Sequence, residues 1–198
     1  RCVAGRAAIA RFTELGFPTT HNEAWRQTGV ASLMDMPFQL AHQQRDIPRA
    51  DLEPLMSWLG PSHHLVLVNG RFSSHHSSLL PLPPGVKVES LASALADDAS
   101  LLEPRLGQYA RYADHPFVAL NTAFLSDGAL VYLPPNTVVE EPILLLFVSN
   151  PNGRATMSHP RTLIVADANS RATIVESYVG LHDAPSFTNA VIEVVLAE

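Results

Sequence analysis

Four histidines surround a predicted hairpin, and they are the residues of this sequence best suited to metal chemistry. His63 and His64 precede one apolar run, His75 and His76 follow the next, and the pair Asn69-Gly70 lies between them. An Asn-Gly pair between apolar runs is the strongest short signal for a two-residue hairpin turn. Counting outward from such a turn places His64 opposite His75 and His63 opposite His76, where cross-strand side chains are about 5 Å apart.

Imidazole pairs at that distance could bind a metal ion such as zinc. Against this, the histidines lie at strand ends beside several serines, where rings are usually solvated. The stretch also contains no carboxylate to orient the rings, as metal sites require. We therefore expect no metal ligand among His63, His64, His75 and His76, and a metal-handling module remains the less favoured hypothesis.

The carboxylates are scattered singly and predict no acid/base pair. Glu140 and Glu141 are adjacent before a proline, and adjacent strand residues point to opposite faces, so a solvated turn is expected. Glu176 and Glu193 each interrupt an apolar run. We expect each of these two side chains either on an outer face or paired with a neighbouring turn of the chain. We predict no catalytic residue, no cofactor-binding residue and hence no enzyme.

Three other segments contain reactive residue types but favour structural roles. Trp25 is expected to anchor a loop on the core, while Glu23 and Arg26 hold the loop backbone. The segment HPR at 159–161 is typical of a turn that enters a strand. Cys2 lies too close to the terminus to serve as a nucleophile.

Composition excludes several functional classes. The chain has 198 residues, of which 46% are hydrophobic, and a formal net charge of −6. A negative chain without a basic run argues against nucleic-acid binding through phosphate contacts. One cysteine excludes a disulfide framework, and a reducing compartment, the cytoplasm, is the simplest expectation. The longest unbroken apolar run, 143–148, is far too short to span a membrane, and no signal peptide is evident.

Short apolar runs separated by turn residues fill the last third of the chain. Each run has strand length and is rich in Val, Ile, Leu and Thr, and no amphipathic helix separates them. This pattern excludes a βαβ arrangement. The runs cover residues 130–133, 143–148, 162–165, 172–175 and 190–196.

Spacing between these runs indicates a repeat. Asp167 and Glu198 follow the ends of two runs, positions 143 and 172 begin two others, and each separation is about thirty residues. Such a period favours a solenoid whose turns stack strand on strand, although an antiparallel sandwich fits the same runs. The pattern stops without a capping end, and the first residue is not methionine. We therefore expect a fragment of a longer protein.

The N-terminal part predicts a mixture of helices and strands. A helix is expected over residues 3–15, ended by Gly16 and Pro18, followed by the hairpin at 64–73 and a third strand at 86–89. Helices are expected over 90–96 and 99–112. The composition changes between about 113 and 130. We therefore divide the chain into an N-terminal domain, 1–118, and a strand-rich core, 119–198.

Several sequence blocks occur together in a distinctive order. They are GFPT (16–19), NEAWRQT (22–28), NGRFS (69–73), HPFVALNTAF (115–124), DGALVYLP (127–134), VVEEPI (138–143), PRTLIV (160–165), ATIVESYVG (172–180) and FTNAVIE (187–193). These blocks resemble the SufB/SufD family of iron–sulfur cluster assembly proteins. The first two resemble the N-terminal signature of the SufD branch, NGRFS resembles the early hairpin of the family, and the later blocks resemble its core.

The resemblance implies an α+β N-terminal domain followed by the first coils of a right-handed parallel β-helix. It also implies a non-catalytic scaffold subunit of the SUF complex, paired with a SufB-like subunit or with itself. A SufC-like ATPase would dock on a C-terminal domain that these 198 residues do not include, and the iron–sulfur cluster belongs to the full complex. No cofactor, nucleic acid or membrane partner is expected here. His63, His64, His75 and His76 lie outside the family pattern.

An enzyme on a β-solenoid is the competing hypothesis. A carbohydrate-active enzyme would need clustered Asp, Arg or Lys on one face of a sheet, and an acyltransferase would need a regular hexapeptide period. The sequence contains neither pattern, so the scaffold hypothesis is favoured.

Overall fold

A computed structural model describes residues 2–41, 47–151 and 153–197. The helices of this part include a long first helix that ends where Gly16 adopts a φ of +66°, which few residues other than glycine adopt readily. This helix was predicted correctly. The α-helices are α1 (Cys2–Leu15), α2 (Arg49–Ser57), α3 (Leu91–Asp97), α4 (Ala99–Leu102) and α5 (Pro116–Phe124), with short 3-10 turns at Glu23–Trp25 and Ala31–Leu33.

The strands of the described residues form three sheets. Their bounds are β1 (Gln39–Leu40), β2 (His63–Val68), β3 (Arg71–Phe72), β4 (Lys87–Ser90), β5 (Gly128–Leu133), β6 (Ile143–Ser149), β7 (Thr156–Ser158), β8 (Arg161–Ala166), β9 (Ile174–Gly180), β10 (Ser186–Thr188) and β11 (Val191–Leu196). The sheet orders are β1-β7-β10, β11-β8-β5-β4 and β3-β2-β6-β9.

Strands one repeat apart pair in parallel. Ile143 is opposite Ile174, Thr156 is opposite Ser186, and Arg161 is opposite Val191. The members of each pair are about thirty residues apart along the chain, which is the period predicted from the sequence. Parallel pairing excludes antiparallel hairpins between these strands. The strand predicted at 172–175 is observed two residues later and runs longer, as β9.

Strands of the N-terminal part continue the same sheets. β2 pairs in parallel with β6, and β4 pairs antiparallel with β5. The short strand β1 pairs in parallel with β7. The division of the chain at 118/119 stays a prediction, and strands from both sides of it lie in shared sheets.

Apolar side chains pack on both faces of the sheets. One cluster lies between the sheets of β2 and β5 and includes Leu65, Leu67 and Leu145. Because side chains alternate along each strand, the residues between these point to the outer face of the sheet. A second cluster therefore packs α2 against β2 and β6, and a third packs α3 and α4 against β5 and β8.

The predicted hairpin is confirmed at its turn. Val68 is opposite Arg71, and Asn69 and Gly70 both have positive φ, as a type I′ turn requires. The predicted helix at 99–112 is wrong beyond Leu102, because Pro104 lacks an N–H and Gly107 adopts a φ of +78°.

The last strand of each sheet has an open edge within the described residues. β9, β10 and β11 each end their sheet order, and side chains on the inward face of β11 are unusually exposed for their type. Ile192 is 47% exposed, Val194 49% and Leu196 73%. Separately, the described helices include none with the length and apolarity to cross a membrane.

Candidate functional site

The structure does not bring the four histidines together. His64 forms its bridge with Ser78, so the predicted pairing of His64 with His75 is wrong. The reason is local: β3 ends at Phe72, and the chain turns back on itself where the N–H of Ser77 donates to the carbonyl of Ser73. His75 and His76 lie in that turn, away from the partners counted for them.

Each of three histidines has its own environment. The His64 ring is within hydrogen-bond distance of the hydroxyls of Ser62 (2.8 Å) and Ser78 (3.4 Å). His76 Nε2 donates to the carbonyl of Ile47 (2.9 Å), which leaves Nδ1 to accept from the Ser73 hydroxyl (2.8 Å). The ring of His75 packs edge-on against His76.

His63 is the most unusual of the four. It is fully buried, it lies opposite Ile143, and strand alternation places it on the same face as Leu65 and Leu67. Neither ring nitrogen has a hydrogen-bond partner among the described residues. Burial lowers the pKa of His63 below its ordinary value, and the nearby Glu141 carboxylate opposes this only in part. The described residues contain no group of three or more His, Cys, Asp or Glu able to hold a metal ion.

Asp127 joins three elements at the start of β5. Its carboxylate accepts hydrogen bonds from the N–H of Phe72 (2.8 Å), the Ser90 hydroxyl (2.7 Å) and the N–H of Ala92 (3.1 Å). Ser90 in turn caps α3 by accepting from the N–H of Ser93. Asp127 is therefore a structural anchor for the hairpin and α3, and the sequence reasoning missed it. Its position just before Gly128 at a strand start was the available signal.

Arg161 and Glu193 form a fully buried ion pair. Each residue is 1% exposed, and the guanidinium donates to the same Glu193 oxygen from Nη2 (2.7 Å) and Nε (3.0 Å). Arg161 and Glu193 lie on the neighbouring strands β8 and β11, so the predicted pairing of Glu193 with a neighbouring turn of the chain is confirmed. The role of Arg161 was not foreseen.

The carboxylate of Glu193 also binds the loop that follows α4. It accepts hydrogen bonds from the N–H groups of Gly107 (2.8 Å), Tyr109 (3.0 Å) and Ala110 (3.1 Å). Burial by itself would raise the pKa of Glu193, but the loop N–H groups and the Arg161 guanidinium outweigh burial and hold the pKa below its ordinary value.

A chain of amides extends this network toward α5. Asn121, fully buried, accepts from Arg161 (3.1 Å) and donates to the carbonyls of Pro160 and Asn189 (both 2.8 Å). The amide of Asn189 donates to the carbonyl of Phe117 and lies 3.1 Å from His159 Nδ1. The network therefore holds α5 against the turns that precede β8 and β11.

His159 ends the network in an apolar environment. The ring stacks on Phe124 and packs edge-on against Phe187. Because the Asn189 amide donates to Nδ1, the ring proton lies on Nε2, which has no partner among the described residues. Burial lowers the pKa of His159 from 6.5 to about 4, so the ring is neutral at physiological pH.

The remaining candidates occupy separate positions. Glu140 and Glu141 are exposed, as predicted for a turn. Glu176 accepts a hydrogen bond from the hydroxyl of Tyr178 (2.7 Å); burial and this bond raise the pKa of the phenol. The side chain of Cys2 lies outside the described part of the structure.

The Trp25 loop is anchored as predicted. The ring of Trp25 contacts that of Phe117, with the centroids 5.1 Å apart. Glu23 and Arg26 are exposed, and their side chains form no hydrogen bond with the described residues, so the prediction that they hold the loop backbone is wrong.

Asp127, Arg161 and Glu193 hold the framework together, because their oxygens and nitrogens are occupied by backbone groups and neighbouring side chains. Glu176 differs from them, since its Oε1 is buried without a partner among the described residues.

Comparison with known protein families identifies the class of protein. Residues 4–145 match the family described as the SufBD protein N-terminal region. Residues 147–198 match the SufBD core domain of the SUF system of iron–sulfur cluster assembly. The chain therefore belongs to the SufBD family, which the resemblance seen in the sequence predicted.

Several curated relatives support the assignment. The chain is 31% identical over 195 residues to the iron–sulfur cluster assembly SufBD family protein slr0076 of Synechocystis, an alignment covering 93% of the chain and 42% of the relative. It is 31% identical over 96 residues to SufD of Bacillus subtilis, covering 48% of the chain and 22% of that protein. A third relative, ycf24 of Pyropia yezoensis, is 36% identical over 119 residues, 58% of the chain and 23% of the relative. The chain thus spans less than half the length of these relatives.

Proposed function

We propose that this protein is a non-catalytic, SufD-like scaffold subunit of the SUF complex that assembles iron–sulfur clusters. Membership of the SufBD family carries the proposal, and a relative named as an iron–sulfur cluster assembly protein SufD supports it. The buried charges give further support. Arg161, Glu193 and Asp127 hydrogen-bond to the backbone and to neighbouring side chains, which suits a rigid frame for partner proteins.

We further propose that 119–198 contains the first coils of a right-handed parallel β-helix that follows an N-terminal domain. The parallel pairing of strands one repeat apart supports this fold. Crossovers between parallel strands are right-handed in nearly all proteins, which supports the handedness. A further coil would continue the three open strand edges. Such a stack gives an elongated, stiff surface because each coil contacts only its neighbours.

The proposed partners are a SufB-like subunit or a second copy of this subunit, and a SufC-like ATPase bound through a C-terminal domain. The cluster itself is the cargo of the complex, which we place in the cytoplasm. No ligand set for it is proposed on these 198 residues.

Affinity capture tests this function. The longest reading frame that contains these residues is tagged and co-expressed with SufB and SufC from the same source, with the tag alone as the control bait. We expect both partners to be recovered in stoichiometric amounts. Failure to retain either partner under conditions where the bait is folded, by circular dichroism, would refute the scaffold role.

A further inference from the structure

The loop after α4 presents several backbone donors to one point. The N–H groups of Gly107, Tyr109 and Ala110 converge on a single carboxylate at 2.8 to 3.1 Å. The positive φ of Gly107 permits this turn of the backbone. Backbone N–H groups that converge in this way form a concave site with a partial positive charge, which favours anions.

Arg161 adds a full positive charge at the same point. Two of its N–H groups bind the Glu193 carboxylate, and its remaining donors approach Asn121 Oδ1 (3.1 Å), Thr122 Oγ1 (3.5 Å) and the carbonyl of Ala110 (3.4 Å). The guanidinium is thus held in position from three sides. A fixed guanidinium beside converging N–H groups matches the geometry and the charge of a carboxylate.

A cavity reaches this donor set from the surface. Its volume is about 390 Å³, and Gly107 and Arg161 both line it, together with Tyr112 and Thr122. Glu103, which is exposed, also lines it. A small solute could therefore reach the donors if the carboxylate of Glu193 were absent.

The position of Glu193 in its strand links this contact to strand register. Glu193 lies opposite Leu163 in β8, and its side chain points to the same outer face as the loop. A slip of one residue would turn that side chain to the opposite face of the sheet. The loop can then hold the carboxylate only when β11 is paired with β8 in the observed register.

We propose that residues 107–110 and Arg161 form a carboxylate-binding site and that its resident ligand is Glu193 of the same chain. The site is distinct from the scaffold role proposed above, and it predicts that small carboxylates bind in place of a missing Glu193 side chain. Formate and acetate are the natural probes, because they carry the binding group with the least additional bulk.

Chemical rescue tests the proposal. In Glu193→Ala, we expect the melting temperature to fall by about 10 °C, since removing one partner leaves a buried charge unpaired. Sodium formate or acetate should then raise it in a saturable way in the millimolar range, compared with sodium chloride at equal ionic strength. The unmodified protein should not respond. The double variant Arg161→Met/Glu193→Ala should not respond either, because the main donor is missing.

The proposal would be refuted if formate and chloride raised the melting temperature of Glu193→Ala equally. It would also be refuted if formate raised the melting temperatures of the variant and the unmodified protein equally. If Glu193→Ala does not fold, amide hydrogen exchange on the unmodified protein decides the question. We expect the N–H groups of Gly107, Tyr109 and Ala110 to exchange as slowly as those of β8, although the first two residues are exposed. Exchange at the rate of a free loop would refute a bound carboxylate.

Discussion

His159 predicts a specific loss of stability in mild acid. Its folded pKa is about 4, against 6.5 for an ordinary histidine. As pH falls through 6.5, the unfolded chain takes up a proton at this position while the folded chain does not. The folded state is therefore fully favoured above about pH 7 and loses stability as the pH falls toward 4.

The size of the effect follows from the two pKa values. Each pH unit between them changes the free energy of unfolding by about 1.4 kcal/mol. The neutral His159 ring should therefore lower the free energy of unfolding by ~2 kcal/mol between pH 7.5 and pH 5. The ring is 4% exposed, so solvent screening reduces this value little. The substitution His159→Asn removes the titration and keeps an oxygen that can accept from the amide of Asn189, as Nδ1 does.

Urea unfolding at the two pH values measures the effect. Between pH 7.5 and pH 5, we expect His159→Asn to lose less unfolding free energy than the unmodified protein, by about 2 kcal/mol. Burial also lowers the pKa values of His63 and His64. These two histidines contribute equally to the pH dependence of both proteins, so their effect cancels in the comparison. His182→Asn, at an exposed position, is the matched control. Parallel pH dependences for the unmodified protein and His159→Asn would show that the neutral buried ring is not the cause.

Three further predictions concern the core and the open edge. His63→Leu should stabilise the protein by about 1–3 kcal/mol, because it removes buried ring nitrogens without partners. Urea unfolding measures this change. The control His64→Leu should destabilise the protein, because it removes contacts to two serines. Gly128→Ala should prevent stable folding, because a Cβ there would overlap the carbonyl oxygen of Arg161. The control Gly180→Ala should fold, since a Cβ there meets no atom within 4 Å. Thermal melts by circular dichroism that do not distinguish the two variants would contradict this reasoning. The 198-residue chain should self-associate through the open edges of its last strands. Val194→Lys should weaken this association. Light scattering that shows only a monomer, together with slow amide exchange over residues 187–197, would disprove self-association.

Strands with strong apolar patterns could be predicted from the sequence. Residues 143–148 and 190–196 are rich in β-branched and aliphatic residues, and both form strands close to those bounds. The short strands β7 and β10 were missed, because three residues of mixed polarity give no periodic signal. α5 was missed for a different reason: Pro116 suggests an interruption, whereas at the first position of a helix a proline is favourable.

The polar network was only partly predictable. A glutamate inside an apolar strand indicates either an outer face or a partner one turn away, and Glu193 satisfies both. The partner could not be identified, because Arg161 lies at the start of a strand in a segment typical of a turn. The histidine pairing failed because counting along a hairpin assumes that both strands continue, and β3 has only two residues.

The pairing of β2 with β6 has a consequence for synthesis of the chain. β2 begins at His63, and its parallel partner begins at Ile143, the residue opposite. A ribosome that adds about 5–20 residues per second needs roughly 4–16 s to make the chain between these two positions. During this time, among the described residues, the apolar Leu65, Val66 and Leu67 have only the two-residue β3 as a strand neighbour. Nascent chains should therefore engage holdase chaperones most strongly after β2 has emerged and before β6 has left the exit tunnel.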